Sequence, residues 1–187
     1  LIGSNGAGKT TFFNLVSGLL SPDSGTIQLN NTDLTRIPTH DILQMGLARS
    51  FQKVNIFPKK TVFENVQVAL IARAKLHFNF LKRAKYLFSD KVNELLDLVN
   101  LSKQSRMKGS DLAHGMQKQL ELAITLAGDP EILLLDEPTA GMSLAETIDT
   151  IKLIKSISQK RGLTLLFTEH DMKVVFEIAD QISVLHH

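Results

Sequence analysis

An α/β fold, with a mostly parallel sheet and an inserted α-helical segment, is predicted by three observations. Residues 1–52 and 129–187 carry short apolar runs that end in glycine or polar clusters and pass into helical periodicity, the rhythm of strand–helix units on a parallel sheet. Residues 53–128 carry instead three stretches with apolar side chains at helix spacing. The chain has 187 residues, 43% hydrophobic and 21% charged, which suits one globular domain with one core. A single domain over 1–187 is therefore expected, with an α/β core at 1–52 and 129–187 and a helical subdomain at 53–128.

In chain order, the apolar Leu1-Ile2 leads into a glycine-rich loop, and Phe12 to Leu20 reads as the helix after it. Leu47 to Phe51 reads as a short strand. The three insert helices are Thr61 to Ala72 (Val62, Val66, Ala69, Leu70), Lys91 to Val99 (Val92, Leu95, Leu96) and Met116 to Ala127 (Leu120, Ala123, Ile124). The turn Gly128-Asp129-Pro130 introduces a buried strand, Ile132 to Leu135, that runs into Asp136-Glu137. Leu163 to Phe167 and Gln181 to Leu185 read as further strands.

The absence of cysteine excludes disulfide frameworks, cysteine-ligated zinc or iron–sulfur sites and thiol nucleophiles. No apolar stretch approaches the roughly 18 residues that a membrane helix needs. The net charge of +2 is too small to argue for nucleic acid, but it is unevenly spread. Residues 73–108 hold 9 Lys/Arg against 3 Asp/Glu, and residues 109–187 hold 6 against 12. The basic stretch reads either as a solvated helical face or as a docking surface for an acidic or membrane-proximal partner.

Gly3-Ser4-Asn5-Gly6-Ala7-Gly8-Lys9-Thr10-Thr11 fits the phosphate-loop pattern G-x-x-x-x-G-K-[ST]. Backbone N–H groups must converge on a phosphate, and glycines permit this by removing side chains and tolerating positive φ. The following helix adds its N-terminal dipole. Lys9 would bridge the β- and γ-phosphates, and the Thr10 hydroxyl would take one position on Mg²⁺. The alternative is a glycine-rich turn that merely caps a helix, which the order strand, loop, helix disfavours. In such a protein Asp136 would hold Mg²⁺ and Glu137 would accept a proton from the attacking water. Adjacent strand residues point to opposite faces, so the two carboxylates would have different jobs. Alone, they could equally be caps where a strand meets a helix.

Three further stretches carry a family resemblance. Leu112-Ala113-His114-Gly115-Met116-Gln117 resembles the signature motif of ATP-binding cassette (ABC) ATPases, Gln52 in Ala48-Arg49-Ser50-Phe51-Gln52 their glutamine loop, and His170 in Thr168-Glu169-His170-Asp171 their switch histidine. The resemblance covers essentially the whole chain and is closest to the cassettes of branched-chain amino acid importers and relatives such as urea-type importers. Where the general family reads Leu-Ser-Gly-Gly-Gln, this chain has Ala113, His114 and Met116 at the serine, first glycine and glutamine. Ser143 stands where many relatives carry an aspartate.

The resemblance implies a P-loop NTPase core and two cassettes facing head to tail, each ATP held between the phosphate loop of one and the signature segment of the other. Lys9, Thr10 and the loop amides would bind the triphosphate, Asp136 and Gln52 would complete the Mg²⁺ environment, and Glu137 would polarise the water. His170 would contact the γ-phosphate, although by itself it reads as a surface histidine after a strand. The resemblance further implies an ATPase subunit at the cytoplasmic face of the membrane, docked on permease subunits through the helical segment. Surplus charge around Lys82, Arg83 and Lys85 would lie partly near that interface, and a substrate-binding protein would be an indirect partner. Phe78, Phe80 and Phe88 are expected to pack rather than stack on bases. The competing reading is a soluble cassette acting on nucleic acid or ribosomes, but the stretch from Lys53 to Ser110 is too short for a long coiled coil and there is one cassette. No Asn-Lys-x-Asp segment supports a GTPase. Relatives extend beyond both ends of this sequence, so a fragment is expected.

Overall fold

The computed structural model describes residues 1–50, 54–74 and 87–186. Gln52, Phe78, Phe80, Lys82, Arg83 and Lys85 lie outside the described residues. The elements run β1 (Ile2–Gly3), α1 (Lys9–Val16), β2 (Gln28–Leu29), β3 (Thr32–Asp33), α2 (Thr39–Gln44) and β4 (Leu47–Arg49). They continue through α3 (Val62–Arg73), α4 (Ser89–Leu98), α5 (His114–Leu126), β5 (Ile132–Asp136), α6 (Leu144–Arg161), β6 (Thr164–Thr168), α7 (Met172–Ile178) and β7 (Val184–Leu185). The three insert helices thus form within about two residues of their expected bounds. β7 is shorter than its apolar run suggests, and α1 starts inside the phosphate-loop motif, at Lys9.

β5 pairs in parallel with β4 on one side and β6 on the other, with Ala48 opposite Leu133 and Leu135 opposite Phe167. Its side chains alternate between faces, and both faces are covered. Leu133 and Leu135 join a core with Val62 and Val66 of α3, Leu95 of α4, Leu120 of α5 and Ile154 of α6. Leu134 joins Phe13, Leu34, Ile42 and Leu47 on the opposite face. Full burial of each such side chain contributes about 1.5–3 kcal/mol, so β5 is the fixed element against which its two end carboxylates are placed. β1 pairs in parallel with β7, and the Leu1 nitrogen donates to the Phe167 carbonyl at 2.7 Å, which sets β1 beside β6. The β2–β3 hairpin, unforeseen from sequence, turns through Asn30 and Asn31 at φ 47° and 65°, a conformation asparagine tolerates.

Helix starts follow local chemistry. At α3, the Thr61 hydroxyl accepts from the Glu64 N–H and the Glu64 carboxylate accepts from the Thr61 N–H. That backbone donor holds the Glu64 carboxyl below its ordinary value. At α6, Ser143 and Glu146 form the same reciprocal box, and Gly162 at φ 63° ends the helix. The basic insert and the acidic C-terminal half meet at the surface, where Arg73 pairs with Asp129 at 3.2 Å and Arg161 with Glu94 at 3.0 Å. No helix among the described residues is long and apolar enough to cross a membrane.

Candidate functional site

The loops that follow β1, β5 and β6 leave the carboxyl ends of parallel strands, the side on which open α/β sheets bind ligands. The first is the phosphate loop. Gly6 and Gly8 sit at φ 82° and 95°, which a side chain would strain. A Cβ on Gly3 would come within 2.5 Å of the Leu185 carbonyl oxygen, so glycine there lets β1 close on β7. The Lys9 ammonium, largely buried, folds over the loop and donates to the Gly3 and Ser4 carbonyls at 2.7 and 3.1 Å. α1 begins with no side-chain cap and no acidic residue in its first turn, which leaves its orphan N–H groups and dipole for an anion. Ser4, Asn5, Gly6, Thr10 and Thr11 are exposed at the loop's outer face, while Ala7 is buried beneath it.

Asp136 ends β5 with both carboxylate oxygens engaged. Thr168 donates its hydroxyl to Oδ1 at 2.8 Å, and Arg49 Nη2 pairs with Oδ2 at 3.1 Å. Arg49 is itself buried, lies over the Phe13 ring and donates through Nη1 to Asn14 and Ser17, so it ties Asp136 to α1. In the sequence, only the place of Arg49 inside an apolar strand marks it.

Glu137 separates from Asp136 for a different reason than strand alternation. β5 ends at Asp136, and Glu137 takes a left-handed backbone, φ 49°, uncommon for a residue with a side chain. Its N–H donates to the carbonyl and hydroxyl of Thr168, both at 3.2 Å. This turn brings Glu137 Oε1 to 3.0 Å from His170 Nε2. Glu169, also unforeseen, is buried beneath them and accepts from the Thr139 N–H at 3.0 Å, the Thr139 hydroxyl at 2.6 Å and the His170 N–H at 3.2 Å.

The 112–117 segment caps α5. Leu112 and Gly115 are buried, Ala113 is the N-cap in extended conformation without a side-chain bond, and Ala113, His114 and Met116 face solvent. Gln117 donates back to the Leu112 carbonyl at 3.1 Å. A Cβ on Gly115 would meet Glu146 Oε1 at 3.0 Å, and one on Gly141 would meet the His114 ring at 3.5 Å. The segment therefore packs on the loop after Glu137 and on the start of α6. The Ser143 hydroxyl is committed to Glu146 and is the main influence holding that carboxyl below its ordinary value. Among the described residues, no hydrogen bond joins residues 112–117 to the phosphate loop.

The chain's residues 1–140 match the ABC transporter family. This chain belongs to that family. It is 40% identical to the high-affinity branched-chain amino acid transport ATP-binding protein LivG of Escherichia coli strain K12, over 100% of this chain and 76% of LivG. It is 37% identical to the corresponding protein BraF of Pseudomonas aeruginosa, again over 100% of this chain and 76% of the relative. Among solved structures, the ADP conformation of the ABC transporter cassette MJ1267 superposes with a TM-score of 0.86 at 27% identity, covering 98% of this chain and 74% of that one. The dimeric post-hydrolysis state of the cassette MJ0796, bound to ADP and Pi, gives 0.79 at 25% identity, covering 98% and 78%. The expected P-loop NTPase core with a mostly parallel sheet is thus the ABC cassette fold.

Proposed function

We infer that this ABC cassette is the ATP-binding and ATP-hydrolysing subunit of a membrane importer for branched-chain amino acids or a related small polar solute. The observation that carries hydrolysis is the Glu137–His170 pair at 3.0 Å, set at the strand ends beside the phosphate loop. The full-length likeness to LivG and BraF, whose names state branched-chain amino acid transport, carries the solute class.

The loop amides, Lys9 and the α1 N-terminus hold the triphosphate, with Ser4, Asn5, Ala7 and Thr11 shaping the loop between the glycines. Glu137 accepts a proton from water as the water oxygen attacks the γ-phosphorus. The bond to the β–γ bridging oxygen breaks, and ADP leaves with phosphate. His170 orients Glu137 and the γ-phosphate. The exposed Thr10 hydroxyl would give Mg²⁺ a direct oxygen, and Asp136, whose oxygens are held by Thr168 and Arg49, would reach the ion through water, joined in this reading by Gln52. Phosphate and water oxygens would complete the shell of such an ion. Bound there, Mg²⁺ would supply positive charge against that developing on the phosphate oxygens.

In this reading the active unit is a head-to-tail pair, homo- or heterodimeric, in which Gly115 of the partner subunit and the amides of its 112–117 segment close each site. The solvent-facing Ala113, His114 and Met116 are placed for such contact. The pair sits peripherally on permease subunits at the cytoplasmic face, with a substrate-binding protein acting through the permease. Nucleic acid has no role in it. The loop assignment is tested with Lys9→Ala. Loss of a charge-assisted contact of about 1.5–3 kcal/mol should weaken ATP binding about ten- to a hundredfold. Calorimetric titration measures this, and unaltered affinity would remove the lysine from the nucleotide site.

A further inference from the structure

Glu137 and His170 come from different turns, one after β5 and the other after β6, so their 3.0 Å approach depends on how those turns are held together. His170 is half exposed and cannot be fixed by packing of its ring. Beneath the pair, buried Glu169 accepts two donors from Thr139, on the Glu137 side, and the backbone N–H of His170 on the other. Oε1 serves Thr139 and Oε2 serves His170, so one carboxylate spans both turns. Asp171 then caps α7 through the Lys173 N–H at 2.8 Å, fixing the far side of the histidine.

We propose that Glu169 is a positioning residue for hydrolysis, a buried clasp that holds His170 in register with Glu137. This rests on the reading of Glu137 and His170 as the hydrolytic pair. The site demands a carboxylate because every contact named is a donor, and an ionised carboxylate is an acceptor at both oxygens. Glutamine offers one oxygen. Whichever way its amide turns, the NH₂ faces an N–H that has no acceptor left, which pushes the two turns apart.

The test is steady-state ATP hydrolysis by the protein in its native complex. Glu169→Gln should lower kcat about ten- to a hundredfold, the scale of a displacement near 1 Å, and leave KM for ATP within about twofold. Thr139→Ser keeps both donors and should retain kcat, whereas Thr139→Val loses the hydroxyl and should fall between. In a His170→Ala background, adding Glu169→Gln should change kcat by less than about twofold, because the clasp then has nothing to position. A wild-type kcat in Glu169→Gln, or the same fold loss with and without His170, would overturn the proposal. Should Glu169→Gln not fold, the comparison of Thr139→Val with Thr139→Ser decides it, equal kcat values counting against the clasp. Hydrolysis that persists in Glu137→Gln would instead overturn the underlying reading. Its loss there, with wild-type kcat in Glu169→Gln, would refute the clasp alone.

Discussion

Replacing Glu137 by glutamine is expected to cut ATP turnover by about 10²- to 10⁴-fold while ATP binding is kept. The substitution is close to isosteric, and glutamine can still meet His170, whose ring nitrogen donates or accepts according to tautomer. The left-handed turn at φ 49° and the bonds from the Glu137 N–H to Thr168 belong to the backbone and survive the change. What is lost is an oxygen able to take a proton from water. Single-turnover phosphate release beside equilibrium nucleotide binding separates the two effects. Turnover within about tenfold of wild type would mean that another group activates the water.

The second large effect is on stability. Arg49→Ala removes the cation from Asp136 and leaves a buried carboxylate with the Thr168 hydroxyl on its other oxygen. Breaking one side of a buried pair costs about 3–5 kcal/mol. For a chain of this size that is a fall of about 6–20 °C in Tm. Arg49→Lys should recover part of it, since an ammonium restores the charge but not the fork that reaches Asp136, Asn14 and Ser17 together. Thermal unfolding followed by circular dichroism measures both. A loss under about 2 °C for Arg49→Ala would show that the pair contributes little.

These two residues also mark how far the sequence could be read. The phosphate loop, the β5 run and helices α3 to α5 are local patterns, each complete within about twenty residues, and the chain folds nearly as they indicate. The places of Asp136, Glu137 and His170 at strand ends were legible because each comes at or just after the end of an apolar run. Their surroundings were not. The Arg49–Asp136 contact spans 87 positions and the Thr139–Glu169 contact 30, and no periodicity encodes a pairing at that range. Arg49 reads as a polar break in β4 until Phe13 and Asn14 of α1 are seen against it. Glu137 takes a left-handed backbone and turns its N–H onto Thr168 of the neighbouring strand, so strand alternation gave the right separation of the carboxylates for the wrong reason. The β2–β3 hairpin has two strands of two residues each, with Leu29 as their one apolar side chain, and an Asn30-Asn31 turn, too little apolar pattern to announce itself.

The most direct measurement is uptake of labelled leucine, isoleucine or valine into vesicles carrying the native complex, with ATP supplied to the cassette face and phosphate release followed in parallel. Uptake should require ATP, rise in proportion to phosphate released, and disappear together with it in Glu137→Gln. Steady ATP hydrolysis with no solute moved, or uptake that continues in Glu137→Gln, would contradict ATP-driven import.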